Sequence, residues 1–408
     1  MAVSSKSPFQ QLAKEASMQP KEKLLAVKKG NNSLTIGIPK EITYQENRVP
    51  LTPGSVHTLT SNGHEVIIES NAGKAAFFTD SEYSEAGAKV AYNKKEVFNS
   101  DILLKVDPPT DEEIELMQPE QILISAIQMA NLKEDYIRKL MKKKIHAVGY
   151  EFMKDESGTL QIIRSMSEIG GTASVLIAAE YLNNTNGGKG ELIGGFPGIP
   201  PTQVVILGAG TVGESAARTA LGLSASIKVF DNSISNLRRL QHSLGVPIYT
   251  STIQPNVLAK ALARADIAIG ALRGEDGRSP SVVTEEMVKN MRPNSVIIDV
   301  SIDQGGCFET SEVTTHTNPV FKKYDVLHYC VPNIASRVSR TASYALSNIF
   351  TPILVDLADQ GGFKDYVYAN KGVRAGVYIY NGMLTNKPIG ERFNMTPKDL
   401  DLILATQA

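Results

Sequence analysis

The chain has 408 residues, of which 42 are Lys or Arg and 43 are Asp or Glu, so its formal net charge is −1. This length predicts two or three domains, and a near-neutral charge argues against nucleic acid or an anionic membrane as the main partner. Apolar residues make up 42 % of the chain and Trp is absent. That composition excludes a disordered chain and a surface built for stacking on sugars or single-stranded bases.

The cysteines and the N-terminal residues indicate a cytoplasmic protein. The two cysteines, Cys307 and Cys330, fit a reducing compartment, and neither has a Cys or His at zinc-site spacing. Residues 1–33 lack the continuous apolar stretch of a secretory signal and are interpreted as an N-terminal extension. No run of 18 apolar residues occurs, so we expect no membrane span. Because the cysteines lack partners at zinc-site spacing, we also expect no metal.

The first part of the chain alternates strand-like and helix-like segments. Short strands rich in β-branched residues are predicted at residues 35–40, 65–70, 102–106, 122–127 and 145–151. Helices are predicted between them, for example at residues 54–61, 80–86 and 111–117. Such alternation predicts βα units and a mainly parallel sheet that is covered on both faces.

A long helix is predicted to begin near Ser165, with Ser167 and Glu168 as its cap, and to end at Leu182. The Gly- and Asn-rich residues 183–201 follow as an ordered loop. Six more strands are predicted at residues 203–210, 226–231, 247–250, 265–272, 295–303 and 325–333. This second series has the size of one doubly wound nucleotide-binding domain.

The predicted fold class is α/β, with two Rossmann-like doubly wound domains. A last helical run at residues 335–361 can carry the chain back to the first sheet. The economical architecture is therefore an inner domain inserted into a discontinuous outer domain. The predicted boundaries are 34–164 and 335–408 for the outer domain and 165–334 for the inner domain.

The strongest motif is GAGTVG at residues 208–213, a G-x-G-x-x-G pattern that follows an apolar strand and precedes a helix. In this context Gly208 makes a tight turn, Gly210 lets the backbone approach a pyrophosphate, and Gly213 lets helix and strand pack closely. The next strand ends in Asp231, whose carboxylate can accept hydrogen bonds from ribose hydroxyls and would repel a 2′-phosphate. The motif therefore predicts NAD as the cofactor, in preference to NADP.

Later strand ends should lie over the reactive ring of that cofactor. Asp303 ends a strand and precedes two glycines, which places a carboxylate in the crevice. The alternative is that Asp303 only caps the following turn.

Taken together, the motifs resemble the alanine dehydrogenases and the related nucleotide-binding α-subunit of proton-translocating transhydrogenase, with the alanine dehydrogenases as the nearer branch. The matching stretches include IGIPKE, ENRVPLTP, MSEIGG, GGFPGIPP, VVILGAGTVGESAA, VIIDVSIDQGGCFE and HYCVPN. The resemblance extends from residue 34 to about residue 384. It implies an outer substrate domain and an inner NAD domain that together oxidise L-alanine reversibly to pyruvate and ammonia.

The resemblance also implies roles for individual residues. Arg48 corresponds to the arginine that binds the substrate carboxylate, which suits the bidentate geometry of a guanidinium. Asp303 corresponds to the active-site aspartate. The implied cofactor contacts are Ser167, Gly208, Ala209, Gly210, Thr211, Val212, Gly213, Asp231, Leu272, Ile302 and Asn333.

Two positions depart from the alanine dehydrogenase pattern. Where that family has a substrate-contacting lysine and a catalytic histidine, this chain has Asp107 and Gln128. Gln128 can donate a hydrogen bond but cannot transfer a proton near neutral pH. Asp107 should repel an oxo acid unless Lys105, two residues away on the same strand face, pairs with it. His328 is the one histidine predicted near the crevice.

Three functions therefore stay open. The first is an NAD-dependent amino-acid dehydrogenase with altered catalytic residues, in which Asp303, Gln128 and Asp107 act on the substrate and Arg48 and Lys105 bind it. The second is a soluble NAD(H)-binding subunit of a transhydrogenase-like assembly, and the third is an NAD(H)-binding regulator without catalysis. The expected ligands are a small amino or oxo acid and NAD. Apolar helices at residues 169–182 and 342–357 favour a homo-oligomer, a dimer or a hexamer.

Overall fold

A computed structural model describes residues 33–274 and 278–406. The predicted extension at residues 1–33 lies almost wholly outside the described residues. The first half of the chain alternates strands and helices in this order: β1 (Thr35–Ile38), α1 (Pro53–Ser61), β2 (Glu65–Glu69), α2 (Asp80–Glu85), β3 (Lys89–Ala91), α3 (Lys94–Val97), β4 (Ile102–Leu104), α4 (Asp111–Leu116), β5 (Ile122–Ser125), α5 (Glu134–Lys142) and β6 (His146–Gly149).

A long helix then leads to a second series of strands. Its elements are α6 (Gln161–Leu182), β7 (Gln203–Leu207), α7 (Thr211–Gly222), β8 (Ser226–Phe230), α8 (Ile234–Leu244), β9 (Tyr249–Ser251), α9 (Pro255–Leu262), β10 (Ile267–Gly270), α10 (Glu285–Lys289), β11 (Val296–Asp299), β12 (Val320–Lys323) and β13 (Val326–Tyr329).

The chain finally returns to the first sheet. The remaining elements are α11 (Ser339–Asp359), α12 (Phe363–Ala369), α13 (Lys371–Arg374), β14 (Val377–Tyr380), β15 (Met383–Leu384), α14 (Lys387–Phe393) and α15 (Leu400–Thr406).

The strands form two sheets. The outer sheet has the order β15-β14-β6-β5-β4-β1-β2-β3, and the inner sheet has the order β12-β13-β11-β10-β7-β8-β9. Within the outer sheet β1 to β6 pair in parallel, as do β7 to β11 and β13 within the inner sheet. All inner strands lie between β6 and β14 in sequence. This topology confirms the predicted α/β class with two Rossmann-like sheets, whereas the domain boundaries given above stay a prediction.

The central strands of each sheet are buried on both faces because their residues are apolar throughout. In β4, Ile102 and Leu104 enter one hydrophobic cluster and Leu103 enters another. In β10, Ile267 and Ala268 point into separate clusters in the same way. Such two-sided burial is what a parallel sheet between helical layers requires.

Both sheets have a point where the strand order reverses, and ligands bind outside the carboxyl ends of the strands at such points. In the outer sheet the reversal lies between β1 and β4, so the loops after these strands face each other. In the inner sheet it lies between β7 and β10. The candidate site is built from these four strand ends and from the segments that reach toward them.

Several local expectations are wrong. Helix α6 begins at Gln161, so Ser167 lies inside it and does not cap it. Strands β3, β12, β14 and β15 were not predicted, and three of them pair at sheet edges. Strand β12, with the sequence VFKK, pairs antiparallel with β13 at an edge where two lysines stay accessible to solvent. Short edge strands of this kind carry too little apolar periodicity to be recognised.

Candidate active site

The turn after β7 has the backbone geometry that its glycines predict. Gly208 takes a left-handed φ of 109°, and a Cβ there would lie 2.3 Å from the carbonyl oxygen of Ala271. A Cβ at Gly213 would lie 1.9 Å from the carbonyl oxygen of Gly208. No side chain can occupy such distances, so both positions require glycine.

The N-terminus of α7 is open. No side chain caps its first turn, so the backbone N–H groups of Thr211, Val212 and Gly213 have no partner inside the helix. A Cβ at Gly210 would meet no protein atom within 4 Å, so packing within the chain does not explain this glycine. Free N–H groups at the positive end of a helix bind phosphate. The turn at residues 208–213, called the nucleotide turn below, therefore fits the pyrophosphate of a dinucleotide.

Asp231 follows β8, and its carboxylate stabilises the turn by accepting backbone hydrogen bonds. Its Oδ2 accepts a hydrogen bond from the backbone N–H of Ala209 at 2.7 Å, and its Oδ1 accepts one from Ser233 at 2.7 Å. A carboxylate has further lone pairs that can accept ribose hydroxyls. Arg239 of α8 donates from Nη2 to the carbonyl oxygen of Ala209 at 2.7 Å and so also contacts the turn.

The residues after β10 and β11 form the next part of the candidate site on the inner sheet. The hydroxyl of Ser301 donates to the carbonyl oxygen of Leu272 at 2.7 Å, and Ile302 is buried beside it. Asp303 lies in a short 3-10 turn that ends at Gly305, which has a φ of 106°. Although Asp303 has an exposed face, the protein around its carboxyl raises its pKa through desolvation.

Ser167 lies on α6 one helical turn before Gly171. Helices α6 and α7 touch at that point, since a Cβ at Gly171 would lie 2.3 Å from the carbonyl oxygen of Val212. Residues four apart lie on the same face of a helix, so Ser167 shares the face that meets the nucleotide turn.

In the outer domain, Arg48 is already paired. Its Nε and Nη2 donate to the two carboxylate oxygens of Glu46 at 2.7 Å and 2.6 Å. Burial opposes both charges, but their attraction outweighs it, raising the pKa of Arg48 and lowering that of Glu46. Among the described residues, Nη1 donates to the thioether of Met166, a weak acceptor, at 3.4 Å. That end of the guanidinium has capacity for a stronger acceptor.

Asn333 joins the two domains at this pair. Its backbone is left-handed, and its Nδ2 donates to Oε2 of Glu46 at 2.8 Å. A residue predicted as a cofactor contact is therefore also a contact to the carboxylate that holds Arg48.

Buried serines fix the backbone of the segment that carries Arg48. The backbone N–H groups of this segment donate to serine hydroxyls on α11 and the 3-10 turn before it, each at 2.9 Å: Asn47 to Ser336, Val49 to Ser343 and Thr52 to Ser347. These hydroxyls satisfy three backbone N–H groups of a buried segment that belongs to no strand and so lacks strand partners.

Lys105 does not pair with Asp107. Its Nζ lies 3.0 Å from Glu41 and 3.4 Å from Glu113, and its side chain is 1 % exposed. Desolvation opposes its charge, but the two carboxylates outweigh it and raise the pKa of Lys105. Strand β4 ends at Leu104, so the regular alternation that would place Lys105 and Asp107 on one face does not continue that far. The pairing with Lys105 that would have kept Asp107 from repelling an oxo acid is therefore not formed.

Asp107 instead accepts a hydrogen bond from Gln128. The distance from Nε2 of Gln128 to Oδ1 of Asp107 is 2.9 Å, and Asp107 is buried. Gln128 has a left-handed backbone, and its N–H and that of Ile127 donate to Glu151 at 2.9 Å and 2.7 Å. Burial, followed by the Glu46 carboxylate, raises the pKa of Asp107. The two positions that depart from the family pattern are therefore joined to each other.

The histidines are placed differently from the expectation. His328 is fully buried between Thr310 and the carbonyl of Val326, and burial lowers its pKa to about 4. It therefore supports the inner sheet and does not face the Arg48 pocket. The backbone N–H of His316 donates to Oε1 of Gln45 at 2.7 Å, and the buried Nε2 of its ring has no hydrogen-bond partner among the described residues.

Sequence reasoning missed the carboxylates that position the predicted residues. Glu46 precedes Arg48 by two residues, which was a usable signal, because alternate residues of an extended segment share a side. Glu151 holds Gln128 from another strand end, and Glu113 holds Lys105 from α4. No sequence spacing encodes these two contacts. Among residues 33–274 and 278–406, no hydrogen bond or ion pair joins Asp303 to the Arg48 group.

None of the helices in the described ranges has both the length and the apolar character needed to cross a bilayer. Family models match most of the chain. Residues 37–170 match "Alanine dehydrogenase/PNT, N-terminal domain" and residues 174–387 match "Alanine dehydrogenase/PNT, C-terminal domain".

Known proteins give the same result. The chain is 38 % identical over 372 residues to an alanine dehydrogenase of Staphylococcus saprophyticus, covering 91 % of this chain and 100 % of that one. It is 37 % identical over 369 residues to alanine dehydrogenase 2 of Staphylococcus aureus, covering 90 % and 99 %.

Solved structures agree in fold. An L-alanine dehydrogenase has a TM-score of 0.83 at 37 % identity, over 88 % of this chain and 99 % of the other. A transhydrogenase from Sinorhizobium meliloti has a TM-score of 0.75 at 23 % identity, over 87 % and 99 %, and shows a shared fold alone. The resemblance inferred from the motifs is thereby confirmed, and the chain belongs to the alanine dehydrogenase/PNT family.

Proposed function

We propose that this protein is an NAD-dependent amino-acid dehydrogenase that converts L-alanine reversibly to pyruvate and ammonia, with altered residues around the substrate. The observation that carries the proposal is the uncapped N-terminus of α7 behind Gly208, Gly210 and Gly213, a site with the shape and polarity for a dinucleotide. The named activity of its relatives supplies the substrate class.

The residues of the inner domain divide the cofactor between them. The N–H groups of residues 208–213 bind the pyrophosphate, and Asp231 accepts the adenosine ribose hydroxyls. The carboxylate of Asp231 is incompatible with a 2′-phosphate, which favours NAD over NADP. Ser167 lies at the α6 face of this turn, and Leu272, Ile302 and Asn333 line the far end, where NAD supplies the hydride acceptor.

The outer domain binds the amino acid. The free end of Arg48 binds its carboxylate, while Glu46 keeps the guanidinium oriented. Asp107, joined to Gln128, is close enough to Arg48 and Glu46 to interact with their charges, and we assign Asp303 after β11 to the same site on the family pattern. Lys105 contributes indirectly and does not bind the substrate itself. Its contacts with Glu41 and Glu113 hold the loops after β1 and β4 in place.

A second candidate is an NAD(H)-binding regulator without turnover. The observation that favours it is that Arg48 is already bound to Glu46, while Gln128 is bound to Asp107. No histidine and no free lysine is among the contacts described above for these residues. A transhydrogenase-like subunit is a weaker alternative, because that likeness is one of fold.

The deciding experiment is a screen of purified full chain with NAD and the common amino acids, following NADH absorbance, with NADP in parallel. We expect NADH to form with L-alanine and other small amino acids, and little reaction with NADP. Tight NADH binding without turnover on any substrate would favour the regulator. We also expect a homo-oligomer, to be checked by light scattering.

A further inference from the structure

The cations of the proposed substrate pocket form ion pairs with glutamates, whereas in the described part of the chain the Asp107 carboxylate does not form an ion pair. Arg48 and Lys105 are each held by glutamates, and Gln128 is neutral. Asp107 forms no ion pair of its own within the described ranges, although it is 5 % exposed. Arg48 and Lys105 act on Asp107 electrostatically but form no ion pair with it, so a ligand cation in direct contact would stabilise the buried carboxylate further.

Asp107 is nevertheless rigidly placed. Gln128 donates to Oδ1 at 2.9 Å, and Gln128 is itself held by the contact of its backbone with Glu151. The side chain of Thr43 adds a further hydrogen bond to the Asp107 carboxyl. Each carboxylate oxygen has two lone pairs, so capacity for another donor remains. A side chain fixed in this way is suited to binding a ligand group in one orientation.

The chemistry of the two substrates differs at this point. An amino acid and its oxo acid both carry a carboxylate for Arg48, but only the amino acid carries an α-ammonium group. An oxo acid presents a carbonyl oxygen, which the Asp107 carboxylate repels. The lysine found here in the resembling family would favour the opposite partner.

We propose that Asp107 binds the α-ammonium group of the substrate, so that the pocket selects the amino acid over the oxo acid. This inference rests on the proposed function. In the binding step an ammonium N–H donates to Asp107. In the following proton transfer that N–H bond breaks, an O–H bond forms on the Asp107 carboxylate, and the substrate nitrogen keeps the electron pair. The amine is then neutral, as oxidation at the adjacent carbon requires.

The test compares the full chain with Asp107→Asn, a change of nearly equal size that preserves an acceptor for Gln128. Calorimetry measures the Kd of L-alanine in the presence of NADH and of pyruvate in the presence of NAD, two complexes that cannot turn over. Asp325→Asn is the matched control, since Asp325 is exposed beside Lys322 on the inner sheet, far in sequence from the pocket.

We expect Asp107→Asn to weaken L-alanine binding at least tenfold and to leave pyruvate binding equal or tighter, with NADH affinity unchanged. Asp325→Asn should match the wild type for both ligands. Equal losses for both ligands, or an L-alanine Kd within threefold of the wild type, would overturn the inference.

The same data separate the two proposals. If wild-type protein forms NADH from L-alanine while Asp107→Asn binds it normally, the dehydrogenase proposal stands and the Asp107 inference is wrong. If no amino acid is oxidised but L-alanine binding still depends on Asp107, the inference stands and the dehydrogenase proposal is wrong.

Discussion

The proposed nucleotide turn (residues 208–213) and the proposed substrate pocket around Arg48 lie at equivalent strand ends of two similar sheets, yet they are built differently. The turn after β7 uses backbone N–H groups and glycines that are adjacent in sequence. The pocket uses charged side chains, and Arg48, Asp107 and Gln128 each depend on a residue brought near by folding. A site made of local backbone tolerates few substitutions, whereas a site made of paired side chains can change its chemistry one residue at a time.

The sharpest way to break this contrast is to add one methyl group to the turn. Gly213→Ala places a Cβ 1.9 Å from a backbone oxygen, which cannot move as a side chain can. We expect NADH binding, followed by fluorescence, to fall by more than about 100-fold, because α7 must shift away from the turn. Gly222→Ala, at the open end of the same helix, should bind NADH as the wild type does. Unchanged affinity in Gly213→Ala would contradict the packing described here.

A change in the pocket should spare the turn. Arg48→Lys retains the positive charge but removes the planar guanidinium. In the wild type this group binds Glu46 through Nε and Nη2 and still offers Nη1 to a ligand. We expect kcat/KM for L-alanine to fall about 100-fold, since a point charge cannot make both contacts. The Kd of NADH should stay within threefold of the wild type, and Arg138→Lys, on the exposed face of α5, is the control. A parallel loss of NADH affinity would mean that the two regions are not separable.

Asp231 tests whether the turn has side-chain specificity of its own. Asp231→Ser retains a hydroxyl near Ala209 but removes the negative charge. We expect NADH affinity to fall about tenfold, as for a lost charge-assisted hydrogen bond, and NADPH affinity to rise. The ratio of the two Kd values is the measurement. A ratio equal to that of the wild type would show that Asp231 serves only to hold the turn.

The smallest effect concerns pH in the pocket. Burial raises the pKa of Asp107, so L-alanine binding through its carboxylate should weaken as the pH falls through that raised value. The charged or titratable groups around Asp107 are Glu41, Glu46, Arg48, Lys105, Tyr150 and Glu151.

Gln128→Met removes a donor to the carboxylate and should move the midpoint of this loss to higher pH, with a Kd within about threefold of the wild type at alkaline pH. Calorimetry across the pH range gives the midpoint. A midpoint that stays in place would show that Gln128 does not tune Asp107.

The same contrast explains how far the sequence alone could lead. The turn at residues 208–213 and its strands were predictable because strand, glycines and helix are contiguous. Asp107 and Gln128 were recognisable as departures, but their hydrogen bond was not, because each strand end leaves its regular pattern before the residue of interest. The pairing of Lys105 with Asp107 that a continued strand would allow does not form for the same reason. The start of α6 was placed too late because a Ser-Glu pair inside a helix has the composition of a cap.

The serine contacts of α11 have a consequence for biosynthesis. Their donors lie at residues 47–52 and their acceptors at residues 336–347, so each donor is 289 to 295 residues from its acceptor in sequence. A ribosome delivers residues 208–213, and then the last inner strand at Val326–Tyr329, before it delivers α11 at Ser339–Asp359. The nucleotide turn can therefore become ordered on the nascent chain, while Arg48 gains its buried hydroxyl partners only near the end of translation, and a prematurely terminated product should retain NADH without gaining the amino-acid pocket.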